Sequence, residues 1–327
     1  NGARWRVEME RHLGAVEWRD WPALGKIEDI DVALAWAPPS GLLATLPNLR
    51  LIVSLGMGVD HLLKDATLPE GIPVTRIHDP QLVEQMVEYA VLASLRVLRQ
   101  SDEYERLQRA GHWQRLPLRE ARDCRVGVMG LGAIGEAAAL AHRALGFAVR
   151  GWARRPRQID GVECFAGEAG LAPFLAGSDI VICLLPLTPE TRGILHARTL
   201  ALLPRGAHVI NIARGGHIIE PDLLAALDSG QLAGATLDVF ATEPLPAEHP
   251  FWRHPRIRLT PHIAGQTNPR TATPGVADNI RRLREGRTLQ HLIQRSAGYR
   301  CAWRSLSAAP SPDATGSAIT PDSWRRN

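Results

Sequence analysis

The chain has 327 residues, 45% of them hydrophobic, with 38 Lys and Arg against 34 Asp and Glu and a pI near 9.2. That length accommodates two domains with ordinary cores, and the near-balanced, interspersed charges exclude a dedicated nucleic-acid face while leaving a basic excess suited to small anions. No apolar run reaches the roughly 18 residues of a membrane-spanning helix and no signal peptide is visible; Cys124, Cys164, Cys183 and Cys301 lack metal-ligand spacing, so no metal is expected and they read as reduced residues of a cytoplasmic protein.

In chain order, Trp5–Leu13 reads as a helix with no strand before it. Val32–Trp36, Leu51–Ser54 and Val74–Ile77 are short β-prone runs separated by Pro- and Gly-bearing turns, the pattern of a small α/β unit. Between two of them lies Ser54-Leu-Gly-Met-Gly-Val-Asp60. Its backbone N–H groups suit a carboxylate, and on local grounds a plain strand-to-helix loop fits equally. Gln85–Gln108 carries apolar residues at helical spacing and is expected to be one long helix leading into a second domain that begins near Cys124.

That domain opens on Arg125-Val-Gly-Val-Met-Gly-Leu-Gly-Ala-Ile-Gly135, a buried strand that breaks into G-x-G-x-x-G and continues into an alanine-rich helix closed by Gly146. Gly130 suits a sharp turn, Gly132 the approach of a pyrophosphate, and Gly135 close packing of helix on strand, with the helix N-terminus facing the phosphates. The same glycines would also serve a helix-strand turn that needs them only for packing. A second strand, Ala148–Trp152, follows at βαβ distance. After it, where an NAD site carries an acidic residue roughly 20 residues beyond the glycines, stands Ala153-Arg154-Arg155-Pro156-Arg157. Guanidinium forks match phosphate oxygens, so NADPH is the favoured cofactor and NADH the less favoured one; a solvated basic turn is the bland alternative.

Apolar runs recur at Ile180–Leu185, His208–Ile212, Ala233–Phe240 and Ile257–Thr260, alternating with helical patterns such as Pro221–Leu227, which predicts a doubly wound parallel sheet whose ligands sit at the carboxyl ends of the strands. Three such ends carry polar residues that a fold does not need: Asn211-Ile-Ala-Arg214, Asp238-Val-Phe-Ala-Thr-Glu243 and Thr260-Pro-His262. Reducing a 2-keto acid takes a cation to bind the carboxylate and polarise the carbonyl, and an acid to protonate its oxygen. Arg214 suits the first role and His262, paired with Glu243, the second. Each alone has a bland reading as a solvated or structural residue; the joint set is less ordinary. A further helical run, Thr273–Arg287, returns the chain to the first domain, and from Cys301 the Ser-, Ala-, Pro- and Thr-rich composition reads as a disordered tail.

These motifs, in this order, resemble those of the D-2-hydroxyacid dehydrogenases. Leu34-Ala-Trp36-Ala-Pro-Pro39, Leu55–Asp60, Glu84–Tyr89, Leu184–Thr191 and Ala297-Gly-Tyr299 are most similar to the glyoxylate/hydroxypyruvate reductase A branch. The resemblance runs from about Trp5 to Tyr299. It implies two doubly wound α/β domains, a Rossmann cofactor domain (93–271) inserted in a flavodoxin-like substrate-binding domain (1–92 and 272–300), followed by the tail 301–327. It also implies NADPH-dependent reduction of glyoxylate and hydroxypyruvate to glycolate and D-glycerate. Arg214, Glu243 and His262 are then catalytic. Gly130, Gly132, Ala133, Ile134, Gly135, Arg154, Arg155, Leu185, Pro186 and Asp238 hold the cofactor, with Asp238 on the nicotinamide carboxamide. Trp36, Met57, Gly58 and Arg214 hold the substrate, and the protein is expected to be a homodimer.

Two departures stand out. Family members open with a strand inside the substrate-domain sheet, whereas this chain starts after it, which would leave that strand's two neighbours with unpaired ladders; and residues 300–327 have no counterpart. The alternatives are an NAD-linked dehydrogenase of another D-2-hydroxy acid, a dinucleotide-sensing interaction protein, and an inactive fragment.

Overall fold

Short aliphatic runs bounded by Gly and Pro form two parallel sheets in the computed structural model, which describes residues 2–295 and the backbone of 300–301. The first unit comprises α1 (Gly2–Leu13), β1 (Val32–Ala35), β2 (Leu51–Ser54), α2 (Asp60–Leu63) and β3 (Val74–Arg76), with the three strands parallel in the order β1-β2-β3. Every residue of β2 is buried, as a central parallel strand covered on both faces requires. Leu51 and Val53 pack on Trp5 and Met9 of α1, while Ile52 faces Leu43, Val59 and Leu62 on the other side. The edge strand β1 has β2 as its one partner among the described residues.

Asp79 caps the next helix, α3 (Pro80–Leu98), by accepting a hydrogen bond from the Gln81 amide, and Pro80 fills a first-turn position that needs no N–H. The single helix expected over Gln85–Gln108 is instead two. α3 ends at Leu98, Gln100 turns left-handed at φ 53°, and α4 (Ser101–Arg109) starts afresh. Apolar spacing continues through the break because each helix buries a leucine, Leu98 in one and Leu107 in the other.

The second unit runs β4 (Arg125–Met129), α5 (Ala133–Ala144), β5 (Ala148–Ala153), β6 (Glu163–Ala166), α6 (Gly167–Ala176), β7 (Ile180–Cys183), α7 (Ala197–Leu200), β8 (Ala207–Asn211), α8 (Glu220–Asp228), β9 (Leu232–Leu237) and β10 (Ile257–Leu259). All seven strands are parallel, in the order β10-β9-β8-β7-β4-β5-β6. The winding reverses between β4 and β7, and in such sheets ligands bind at that switch point. β6 and α6 have no counterpart among the sequence-predicted elements; β6 is a half-exposed edge strand of four residues, too short and mixed to show a period.

α3 packs on α5 through Ala90, Ala93 and Ala139, small residues that bring the two helices close. The last helix, α9 (Pro269–Arg284), capped by Asn268, goes back to the first sheet, where Ala272, Val276 and Ile280 share a core with Trp5 and Val53. β11 (Ile293–Gln294) pairs antiparallel with β12 (Arg300–Cys301). The Ala297-Gly-Tyr299 ending and the tail expected from Cys301 lie outside the described residues, except for that strand pair. Among the described residues no helix is long and apolar enough to cross a membrane.

Candidate active site

The carboxyl ends of β2, β4, β7, β8 and β9 converge on a cleft of ≈ 830 Å³ between the two sheets. On its cofactor-type wall, β4 turns off through Gly130 at φ +101° into α5. A Cβ at Gly135 would stand 1.7 Å from the Gly130 carbonyl oxygen, and one at Gly130 2.8 Å from that of Leu184, so packing alone demands glycine at both positions. A Cβ at Gly132 would meet nothing within 4 Å. Packing therefore does not require glycine at position 132. The N-terminus of α5 carries no side-chain cap, so its amides are open to an anion together with the dipole behind them. Ala133, Ile134, Leu185 and Pro186 line the same wall. At the end of β5, Arg157 is committed to Glu136 at 2.6 Å, whereas Arg154 and Arg155 are exposed and have no carboxylate within ion-pair distance among the described residues.

Arg214 follows β8 on a turn braced by buried Asn211, whose side chain donates to the Arg214 carbonyl at 3.0 Å and accepts from the Ala213 amide at 3.2 Å. Its Nε donates to both oxygens of Asp60 at 3.1 and 3.2 Å, and Nη1 donates to the Ala213 carbonyl at 2.7 Å. Asp60 belongs to the first unit, so this ion pair spans the cleft. Nη2 has no acceptor among the described residues.

His262 sits beyond β10 at φ +55°, a conformation that costs a non-glycine residue about 1–3 kcal/mol and persists only where surroundings enforce it. Asp238 does the enforcing. It is 1% exposed and accepts from the Thr260 hydroxyl at 2.5 Å and from the amides of Ile263 and Ala264, each at 2.8 Å, while its carbonyl takes the His262 amide. The Thr260 hydroxyl has one proton, directed at Asp238, so the Tyr89 hydroxyl 2.6 Å away donates to Thr260. Asp238 lines the cleft, and most of its hydrogen-bonding capacity serves the His262 loop.

The His262 Nδ1 lies 2.7 Å from Glu243 Oε2, and Glu243 Oε1 accepts from the Phe240 amide at 2.9 Å. Burial raises the Glu243 carboxyl pKa, but the His262 hydrogen bond, the Phe240 amide and the Arg214 charge outweigh it, so the group lies below its ordinary value. Ionised Glu243 is acceptor only; Nδ1 therefore carries its proton and Nε2 faces the cleft. Opposite, the single hydroxyl proton of buried Ser54 is shared between the carbonyls of Gly56 and Gly58, 3.1 and 3.0 Å away, and so shapes the turn Leu55–Gly58. The amides of Met57 and Gly58 have no acceptor among the described residues. Trp36, 51% exposed, lies across this turn with its ring tilted 46° to that of His61 and the ring centroids 4.4 Å apart.

The structure thus gathers Arg214, His262, Trp36, Met57 and Gly58 around one space that the glycine loop also lines, with Glu243 held against His262 from the neighbouring recess. Such an arrangement can bind a small carboxylate, polarise an adjacent carbonyl and deliver a proton to its oxygen. Sequence reasoning missed Asp60, Asn211, Thr260 and Tyr89 as positioning residues. All four lie inside motifs singled out on other grounds; the partners of Asp60, Thr260 and Tyr89 lie 22 to 171 residues away and leave no local signal, whereas Asn211 braces the turn that directly follows it.

The D-isomer specific 2-hydroxyacid dehydrogenase NAD binding domain matches residues 91–264. Glyoxylate/hydroxypyruvate reductase A of Serratia proteamaculans (strain 568) is 44% identical over 304 residues, covering 91% of this chain and 97% of that protein. Among solved structures, a D-isomer specific 2-hydroxyacid dehydrogenase from Xanthobacter autotrophicus Py2 in complex with NADPH and MES superposes with a TM-score of 0.87 at 44% identity, covering 91% of this chain and 96% of that one. The NADPH-dependent glyoxylate/hydroxypyruvate reductase of Sinorhizobium meliloti in complex with NADP and sulfate gives 0.83 at 40% identity, covering 90% and 96%. Likeness sustained over nine-tenths of the chain, in sequence and in fold alike, makes it a member of the D-isomer specific 2-hydroxyacid dehydrogenase family.

Proposed function

We propose that this protein reduces small 2-keto acids, glyoxylate and hydroxypyruvate, to glycolate and D-glycerate at the expense of NADPH. The observation that carries the reading is the His262–Glu243 hydrogen bond of 2.7 Å in a cleft that also holds Arg214 and an uncapped glycine-loop helix. When bound, the dinucleotide supplies a hydride to the keto carbon. The chain's own groups do the rest. The Met57 and Gly58 amides and the free edge of Arg214 hold the substrate carboxylate, and Arg214 draws charge toward the carbonyl oxygen. His262 gives the proton on Nε2 to that oxygen as the alcohol forms, and Glu243 stabilises the doubly protonated ring that precedes the transfer. Gly132 and the α5 amides take the pyrophosphate, and Arg154 and Arg155 the 2′-phosphate that distinguishes NADPH from NADH. Asp238 keeps the His262 loop in place.

The family likeness further supports a cofactor unit at 93–271 closing on a substrate unit of 1–92 and 272–300, and a cytoplasmic homodimer, which sedimentation would test. The deciding experiment follows NADPH oxidation by its absorbance with glyoxylate, with NADH beside it. Turnover preferring NADPH is expected. His262→Ala should lose most of it while binding NADPH almost unchanged; an undiminished rate in that variant would sink the assignment.

A further inference from the structure

Behind the catalytic residues, on the side away from the glycine loop, lies a second recess of ≈ 380 Å³. It shares Trp36, Arg214 and His262 with the main cleft, so a substrate held at Arg214 has space on both sides. The charges facing it are uneven. Its two carboxylates are both engaged, Asp60 by Arg214 and Glu243 by His262. His61 contributes no charge: burial, together with Arg214 and Lys64, holds its pKa below the ordinary value against the pull of Asp60. Two cations remain, Lys64 and Arg192, both exposed and neither with an acceptor for its charged end among the described residues.

Both are tied to the catalytic arginine. Lys64 directly follows α2, the short helix that starts at Asp60, Arg214's partner. The Arg192 guanidinium lies against Gly216, where a Cβ would come within 3.2 Å of Nη1, and the Gly193 amide bonds the Gly216 carbonyl at 2.8 Å. Gly216 leaves room for that guanidinium two residues beyond Arg214. Two cations thus line a recess that shares Arg214 and His262 with the main cleft, an arrangement suited to a second negative charge.

Resting on the reading of this site as a 2-keto acid reductase, we propose that Lys64 and Arg192 bind the distal carboxylate of a 2-keto dicarboxylate whose keto acid end occupies Arg214 and His262. The recess has room for a chain of a few carbons. A planar guanidinium and a mobile ammonium together suit a carboxylate at its far end.

The test compares kcat/KM for oxaloacetate with that for 2-oxobutyrate, which has the same carbon count and no distal charge, with glyoxylate run alongside. Because the comparison is a ratio, it does not depend on the fraction of folded enzyme in any variant. The unaltered protein should favour oxaloacetate by about tenfold, a margin in the range of charge-assisted hydrogen bonds. In the double variant Lys64→Gln/Arg192→Gln the ratio should fall close to one, and Arg192→Lys should keep part of the preference. A ratio near one in the unaltered protein, or one unmoved in the double variant, overturns the subsite. If glyoxylate is reduced but that ratio is flat, only the subsite falls; if no keto acid is reduced, the underlying reading falls with it.

Discussion

Asp60 is the residue whose replacement most directly tests how the site is held. Its carboxylate receives Arg214 Nε at 3.1 and 3.2 Å, one donor shared between two oxygens, and the side chains are 24% and 25% exposed for Arg214 and Asp60. Hydrogen bonds between charged groups contribute about 1.5–3 kcal/mol, and a single shared donor with partial solvent screening belongs at the low end. Asp60→Asn keeps the shape and one oxygen acceptor but removes the charge. About 1–1.5 kcal/mol of orientation is then lost, or roughly five- to tenfold in kcat/KM for glyoxylate. Because Asp60 is remote from the glycine loop, NADPH affinity and the melting temperature should barely move, which separates a positioning role from a merely structural one. The assay is steady-state NADPH oxidation, with cofactor binding by fluorescence titration. A kcat/KM within twofold of the unaltered enzyme would show that the Ala213 carbonyl alone orients Arg214, and the account of the cleft-spanning pair would be wrong.

The glycine loop makes two opposed predictions. Gly135→Ala drives a Cβ into the Gly130 carbonyl and should destabilise by at least about 3 kcal/mol, lowering the melting temperature by roughly 6–12 °C, whereas Gly132→Ala, which meets nothing in the protein, should melt normally yet bind NADPH weakly in the same titration. Arg154→Ala/Arg155→Ala should raise the KM for NADPH by about ten- to a hundredfold and leave that for NADH nearly constant, because only the former carries the phosphate those exposed guanidiniums would meet. Glu243 titrates in the folded protein below its ordinary 4.5, so its stabilising contribution is complete above that pH and is lost as the pH falls through the folded value. The melting-temperature gap between the unaltered protein and Glu243→Gln should therefore narrow on acidification from pH 6 to below 4.5, as a thermal-melt series would register.

Local patterning determined much by itself. Parallel strands buried on both faces, such as Leu51–Ser54 and Ile180–Cys183, are short, nearly continuous apolar runs bounded by turn residues, a pattern that is readable along the chain. The order of Gly130–Gly135, Arg214, Glu243 and His262 along the chain was equally legible, since a strand's end must carry whatever faces the cleft. Tertiary structure decided the rest. Gln100 broke a continuous helical pattern because a left-handed residue leaves no trace in hydrophobic periodicity. Arg157 left the phosphate-facing set because Glu136, on the neighbouring helix, lies close enough to take it. Asp60 became the partner of Arg214 across 154 residues, and Tyr89 that of Thr260 across 171. Such pairings depend on how two sheets are set against each other, and the energies that choose them are local in space but not along the chain.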